Sequence, residues 1–167
     1  MPNRLGTLTD ALAFAREYTL SLVDTIPQTE WFQMPPGCPS HIAWQVGHLA
    51  LAEARLVFDR VCLGRSQDGL LPAEFHTLFG RTSVPDSDPA KHPPAAEIRA
   101  VFDCVHEATM QGLRDVADSQ LDEMAIGPTH RFCRTKLEFL RWCGHHEMMH
   151  AGQIGLIRRM LGAEPVW

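Results

Sequence analysis

Four segments in which apolar residues recur every three or four positions constrain the fold of this chain more than any other feature. That spacing places the apolar side chains on one face of an α-helix, and such a face must be buried against a neighbouring element. No segment shows the alternation of apolar and polar residues that is typical of a strand. The predicted helices cover approximately residues 7–26, 41–63, 94–117 and 136–161. The sequence therefore predicts an all-α fold, a four-helix bundle.

Capping residues support the ends of these predicted helices. Ser40 is a good N-cap for the second helix. Thr135 and Glu138 have the spacing of a capping box at the start of the fourth helix. Gly64 is expected to end the second helix, and Gly162 is the natural C-cap of the fourth.

The chain has 167 residues, and we expect residues 1–167 to form a single bundle domain. A long proline-rich connection, residues 64–93, separates the second and third helices and permits a topology other than up-down-up-down. The net charge of −5 favours no nucleic-acid partner. The apolar stretches are too short for a membrane span, and the N-terminal residues do not resemble a signal peptide. We therefore expect a cytoplasmic protein with no membrane partner.

The fourth predicted helix carries polar residues at the centre of its core-facing stripe. His146 and His150 are four residues apart, so both imidazoles point from the same side of the helix. Two buried imidazoles both need partners, and a pair at this spacing can bind one metal ion. The full stripe is Phe139, Cys143, His146, His150, Gln153, Ile157 and Met160.

The second predicted helix offers a third imidazole. Its apolar stripe contains His48 between Trp44 and Leu51. Two facing helices of a bundle would bring His48, His146 and His150 to one point, so we predict these three residues as metal ligands. Three protein nitrogens leave a coordination position open for water or substrate, as a catalytic site requires. Trp44 lies one turn from His48 and is predicted to wall the pocket.

Two polar residues beside the histidines are candidates for chemistry. Residues 146–150 read His-Glu-Met-Met-His, which matches the H-E-x-x-H metalloprotease helix in which the glutamate is a general base. The metzincin extension fails, since Gln153 and Leu156 stand where glycine and histidine are required. Glu147 is therefore interpreted as a solvated or helix-packing residue, which acts as a base only if it reaches the water on the metal. Gln153 either orients a ligand or contacts substrate, or it makes a core hydrogen bond.

The sequence also allows predictions for the five cysteines and for Gly152. All five cysteines are expected to be reduced thiols, because their number is odd and no pair has CxxC spacing. Cys143 lies one turn before His146 and is interpreted as a buried thiol, with metal ligation as the alternative. Gly152 is expected to permit the close approach of another helix.

The two histidine-bearing segments resemble the DinB-like (DinB/YfiT) family. Residues 42–49, Ile-Ala-Trp-Gln-Val-Gly-His-Leu, are similar to its W-x-x-G-H-L region. Residues 146–154 and 158–162 are similar to its H-x-x-x-H-x-G-Q-I and R-R-x-L-G ending. The layout of nearly the whole chain follows the same pattern. The resemblance implies a four-helix bundle, often a homodimer, in which the three histidines hold a divalent metal ion, often zinc or nickel.

The resemblance also implies a class of function. Characterised members include metal-dependent transferases of low-molecular-weight thiols, thiol-dependent isomerases and the metal-binding domain of ergothioneine-pathway enzymes. The first hypothesis is thus a metal-dependent thiol S-transferase, or a thiol-dependent enzyme that detoxifies or isomerises a small electrophile, with Trp44 and Gln153 shaping the cofactor pocket. The alternatives are a metal-assisted hydrolase with Glu147 as its base and a non-catalytic metal-binding stress-response module. Met149 and Ala151 stand where members often have histidine and a basic residue.

Overall fold

The computed structural model describes residues 3–61 and 69–166, and it confirms the all-α fold. The helices are α1 (Arg4–Val23), α2 (Ile42–Val57), α3 (Phe75–Leu78), α4 (Ala95–Leu113) and α5 (Lys136–Met160). The four long helices form the bundle: α5 packs against both α1 and α2, and α4 packs against α2. The one-turn helix α3 lies in the long connection between α2 and α4. None of the helices in the described part of the chain is long and apolar enough to cross a membrane.

Hydrogen bonds at their first turns explain where α2 and α5 begin. His41, rather than the predicted Ser40, caps α2, because its Nδ1 accepts a hydrogen bond from the backbone N–H three residues later at 3.1 Å. Ser40 Oγ instead accepts a hydrogen bond from the side chain of Gln45 at 2.9 Å. The predicted capping box of α5 is confirmed: Thr135 Oγ1 accepts from the Glu138 N–H, and the Glu138 carboxylate accepts from the Thr135 N–H.

The predicted end of the second helix is wrong. The apolar pattern continues through Phe58 and Val61, which are both buried, but α2 ends at Val57 and turns follow. The Val61 N–H still donates to the Val57 carbonyl in the helical manner, but the carbonyl of Arg60 accepts a hydrogen bond from the Ile126 N–H of another segment. The predicted stop at Gly64 lies outside the described residues. The first helix also begins and ends a few residues earlier than the predicted range 7–26, since α1 spans Arg4–Val23.

The bundle core consists of two apolar clusters separated by a layer of charged side chains. On α1, the cluster containing Leu12 gives way to the cluster containing Leu22, and Arg16 lies between them. Glu53 on α2 and Glu147 on α5 lie at the same boundary, and all three charged residues are at most 4% exposed. We call Arg16, Glu53 and Glu147 the ion layer. Charges this deeply buried persist only when they are paired and hydrogen-bonded.

Arg16 provides that pairing. Its Nε donates to Glu147 Oε1 at 2.8 Å, its Nη2 to Glu53 Oε2 at 2.6 Å and its Nη1 to the Phe102 carbonyl at 2.8 Å. His106 Nδ1 on α4 lies 2.9 Å from the second oxygen of Glu53, so side chains of all four long helices meet in the layer. The interpretation of Glu147 as solvated is therefore wrong, because the carboxylate is buried and joins α5 to α1. Its alternative role, helix packing, describes what the structure shows.

Gly47 on α2 allows the connection between α2 and α4 to approach the helix closely. A Cβ atom at this position would lie 2.6 Å from the ring of Phe79, well inside van der Waals contact. Gly47→Ala is expected to lower the free energy of unfolding by about 1–3 kcal/mol, because the added methyl group must displace a buried ring. Urea unfolding followed by circular dichroism measures this change.

Gly152→Ala on α5 is the matched control. The prediction that Gly152 permits close helix approach is wrong: the residue is exposed, and within the described residues no atom of another helix lies within 4 Å of a Cβ placed there. Alanine is favoured over glycine inside a helix by about 1 kcal/mol, so this variant is expected to be slightly more stable than the wild type. Equal losses of stability in the two variants would contradict the packing role of Gly47.

Candidate metal centre

Three imidazoles from two packed helices meet between α2 and α5. His48 lies on α2, and His146 and His150 lie one turn apart on α5. One ring nitrogen of each lies within 4.8 Å of the others. The ring centroids of His146 and His150 are 4.6 Å apart, and that of His48 is 5.3 Å and 4.8 Å from them. The structure thus brings together the three predicted ligands in a cluster that could hold one metal ion.

Hydrogen-bond acceptors fix the orientation of two of the rings. His48 Nδ1 lies 2.8 Å from the carbonyl oxygen of Phe79, and His150 Nδ1 lies 2.5 Å from the amide oxygen of Gln45. Both oxygens can only accept, so each Nδ1 carries the proton and each Nε2 keeps a lone pair. The other end of the Gln45 amide donates a hydrogen bond to Ser40 Oγ at 2.9 Å, so this side chain is held at both ends. Hydrogen bonds of this kind hold histidine ligands in place in metal sites.

Burial keeps the three imidazoles neutral near pH 7. Desolvation lowers the pKa of His146 to about 4, and the neighbouring His48 ring adds to the effect. Desolvation and the two other imidazoles lower the pKa of His150 to about 3. Desolvation also lowers the pKa of His48, against its hydrogen bond to Phe79 and with help from the positive charge of Arg55. Neutral imidazole is the form that binds a metal ion, so at neutral pH each ring has an unprotonated nitrogen with a lone pair for the metal.

Trp44 covers one side of the cluster. Its ring stacks on that of His48, with the centroids 4.8 Å apart and the planes inclined by 7°. Its centroid lies 6.4 Å from that of His150. The indole N–H donates to Ser83 Oγ at 2.8 Å, so the connection between α2 and α4 holds the ring in place. The ring lies where the sequence predicts a pocket wall, and a role for Trp44 in binding a cofactor stays a prediction.

The two candidate catalytic residues have surroundings unlike those of the histidines. Glu147 is bound by Arg16; burial raises the pKa of this carboxyl, although Arg16 opposes the shift. Gln153 is exposed, so the alternative of a core hydrogen bond for it is wrong. Because α5 packs against both α1 and α2, its buried stripe runs through Glu147, Ala151 and Ile154 and leaves Gln153 outside. Contact between Gln153 and a ligand stays a prediction.

Cys143 does not join the cluster. Its side chain is buried, and burial, with the nearby carboxylates Glu53 and Glu147, raises the pKa of the thiol well above its usual value. A thiol that holds its proton this firmly is a poor metal ligand. Within the described residues, the histidines are the only group of three or more side chains placed to bind one metal ion. The cluster therefore supplies three nitrogen donors and no fourth side chain from this part of the protein.

The sequence analysis did not identify two of the groups that orient the histidines. Gln45 lies three residues before His48, and an amide on the apolar side of a helix beside a predicted ligand was a usable signal. The Phe79 carbonyl gave no signal, because it is a backbone group 31 residues from His48.

Replacing Gln45 with leucine is expected to weaken metal binding by about 10–100-fold. Leucine fills a similar volume but cannot accept the hydrogen bond from His150 Nδ1, so that imidazole loses the partner that sets its tautomer. Competition between the protein and a chromophoric chelator for Zn²⁺ measures the affinity. Gln153→Leu is the matched variant and is expected to bind zinc like the wild type. A similar loss in both variants would show that Gln45 has no special role.

Comparison with known protein families assigns the chain to one of them. The family model described as the DinB superfamily matches residues 11–154, which include His48, His146 and His150 and most of the four long helices. No curated protein shows a significant match to the chain. The family match covers far more than half of the chain and agrees with its all-helical architecture. The chain therefore belongs to the DinB superfamily.

Proposed function

We propose that this protein is a metal-dependent enzyme that activates a low-molecular-weight thiol for transfer to a small electrophile. The observation that carries the proposal is the cluster of three neutral imidazoles without a fourth side-chain ligand in the described residues. Zinc and nickel are ions that such a nitrogen donor set suits. A divalent ion held by His48, His146 and His150 would supply positive charge that lowers the pKa of a thiol at the remaining position.

The residues around the cluster favour an anionic sulfur ligand. The neutral imidazoles add no negative charge that would repel a thiolate. Arg55 lies two turns beyond His48 on α2, and its positive charge is close enough to lower the pKa of His48. Its Nη2 lies 2.9 Å from His76 Nδ1, which restrains the guanidinium. Arg55 thus favours the thiolate over the thiol. The thiol proton passes to solvent, and the thiolate attacks an electrophilic carbon whose leaving group, such as chloride from an aryl chloride, departs with the bonding electrons.

Metal-assisted hydrolysis is the second candidate, and the ion layer argues against it. Hydrolysis at a single metal ion needs a general base that can take a proton from water. Glu147 is the base that the sequence offers, but its carboxylate accepts a hydrogen bond from Arg16 at 2.8 Å and faces α1. The non-catalytic alternative needs a saturated coordination sphere, and Cys143 does not supply the fourth ligand. Both observations support the thiol-dependent reaction.

Titration of the Co²⁺-loaded protein with 2-mercaptoethanol tests the proposal. A thiolate–cobalt absorption band is expected to grow with thiol concentration, because the sulfur enters the open position. The same protein loaded with zinc or nickel is then expected to conjugate 2-mercaptoethanol to 1-chloro-2,4-dinitrobenzene faster than the metal-free protein does. Ester hydrolysis that needs the metal but no thiol would support the hydrolase instead.

A further inference from the structure

An exposed aromatic ring is connected to the histidine cluster by one other aromatic ring that lies between them. Phe132, in the segment between α4 and α5, is 60% exposed, and its centroid lies 5.4 Å from that of Trp142. Trp142 lies one turn before His146 on α5, and their centroids are 6.2 Å apart. We call Phe132 and Trp142 the aromatic platform. It leads from the predicted metal ligands to the protein surface, whereas Trp44 flanks the cluster beside His48.

The position of Phe132 is fixed by its surroundings. Its backbone N–H donates to His130 Nδ1 at 3.2 Å, and the His130 ring lies 6.0 Å from Phe132 and 6.1 Å from Trp142. The same ring packs 5.3 Å from buried Phe139. Earlier in the same segment, the backbone carbonyls of Ile126 and Pro128 accept hydrogen bonds from Arg60 Nη1 at 2.6 Å and 2.8 Å. The exposed ring is therefore presented on an anchored segment, in contact with other rings.

The exposure of Phe132 needs a cause other than stability. A phenyl ring contributes to folding mainly through the apolar area that it buries, and this ring leaves most of its area in water. Single exposed aromatic residues are common on protein surfaces and do not by themselves indicate a binding site. Phe132 differs because it continues a row of rings that begins at His146. Met149, which is half exposed and lies three residues after His146, adds apolar surface near the same ligand.

We propose that the aromatic platform binds an aromatic group of the substrate that enters the metal centre. The proposal rests on the proposed function for the position of the reacting sulfur, and it adds the chemical class of substrate. The centroid of Trp142 lies 6.2 Å from that of His146, so the platform is within reach of a phenyl group one or two carbons from a sulfur held at the three histidines. Offset or tilted contact of aromatic rings at 4.5–7 Å improves affinity by about threefold to tenfold beyond the burial of area. The site therefore selects aromatic over aliphatic thiols or electrophiles.

Two thiols that differ only in the phenyl group test this selectivity. The Co²⁺-loaded protein is titrated with 2-phenylethanethiol and with ethanethiol, and the growth of the cobalt absorption band gives each dissociation constant. The wild type is expected to bind the phenyl compound at least tenfold more tightly. Phe132→Ala is expected to reduce this ratio by about threefold to tenfold and to leave ethanethiol binding unchanged. Unchanged ethanethiol binding also shows that the variant has folded and holds its metal.

Phe14→Ala provides the matched control, because Phe14 on α1 is 62% exposed and makes no part of the platform. In this variant, the ratio of the dissociation constants for ethanethiol and 2-phenylethanethiol is expected to equal that of the wild type. Trp142→Leu is the second platform variant and is expected to reduce the ratio at least as much as Phe132→Ala. If both platform variants keep the wild-type ratio while the thiols still bind cobalt, the platform proposal is wrong and the proposed function stands.

The platform can also be judged if no thiol changes the cobalt band, which would overturn the proposed function. Saturation-transfer NMR then follows the binding of 2-phenylethanol to the metal-free protein. A signal that disappears in Phe132→Ala but persists in Phe14→Ala would support an aromatic subsite that is independent of thiol chemistry. An equal signal in all three proteins, or no signal in any, would overturn the platform proposal.

Discussion

Replacing Arg16 with methionine is expected to lower the free energy of unfolding at pH 7 by about 3–5 kcal/mol. Methionine fills much of the volume of arginine but leaves Glu53 and Glu147 buried without their shared cation. Burial alone acts to raise the pKa of Glu53, yet Arg16 and His106 outweigh it and hold that pKa below its usual value. Without Arg16, both carboxylates must either remain charged in an apolar core or take up protons. Urea unfolding measures the loss.

The pH dependence of the free energy of unfolding distinguishes unpaired buried charges from a simple packing defect. In Arg16→Met the unpaired carboxylates can be neutralised by protonation, so the difference in stability from the wild type is expected to shrink as the pH falls from 7 towards about 4.5. A packing defect would stay constant over this range. Arg4→Met is the matched control, because Arg4 pairs with Asp118 and Asp122 at the surface, and it is expected to change stability little. A loss of similar size at both positions would refute the role of the ion layer.

Replacing His150 with alanine is expected to abolish stoichiometric metal binding. Loss of an outer hydrogen bond weakens a metal site by about 10–100-fold, and removal of one of only three protein ligands is expected to exceed that. Elemental analysis of protein purified without a histidine tag or chelator measures the metal content. About one zinc, nickel or similar ion per chain is expected for the wild type. Thermal unfolding gives a second readout, since metal raises the melting temperature only where it binds the folded state.

His145→Ala is the comparison variant for this experiment. His145 is exposed, directly precedes His146 on the same helix and is not part of the cluster. It is expected to retain the metal content and the metal-dependent melting temperature of the wild type. Metal that stays bound in His150→Ala, or that leaves equally in both variants, would show that the three histidines are a buried polar network rather than a metal centre.

The histidine cluster could be predicted because its residues break a pattern. Two imidazoles at helical spacing on an otherwise apolar stripe, with a third on a second stripe, need a common explanation. The same reasoning could have found Arg16, which follows Leu12 by four residues on the apolar face of α1. An arginine on such a face predicts buried acidic partners on other helices. Glu53 and Glu147 are the partners that the structure shows, and the interpretation of Glu147 as a solvated or helix-packing residue does not identify that pairing.

Other features could not be predicted from local patterns. Just beyond α2, Arg60 makes hydrogen bonds to backbone groups of a segment more than sixty residues later in the chain, and no local pattern reveals that partner. The stripe of α5 was drawn through Gln153 because steps of three and four fit several faces of a helix that packs against two neighbours. Which of those faces is buried depends on the positions of α1 and α2, and the sequence of α5 alone does not contain that information. A homodimer and a cytoplasmic location stay predictions.

The ion layer has a further consequence for the axial register of the helices. Apolar side chains tolerate a slide of one helical turn, about 5.4 Å, because one apolar neighbour replaces another. Charged pairs do not, since the same slide of α5 would separate Glu147 from Arg16 and leave the buried carboxylate without its cation. Glu147 directly follows His146, and Glu53 lies five residues after His48. The alignment that pairs the charges is thus the alignment in which the imidazoles meet, so residues that never touch a metal ion define where one can bind.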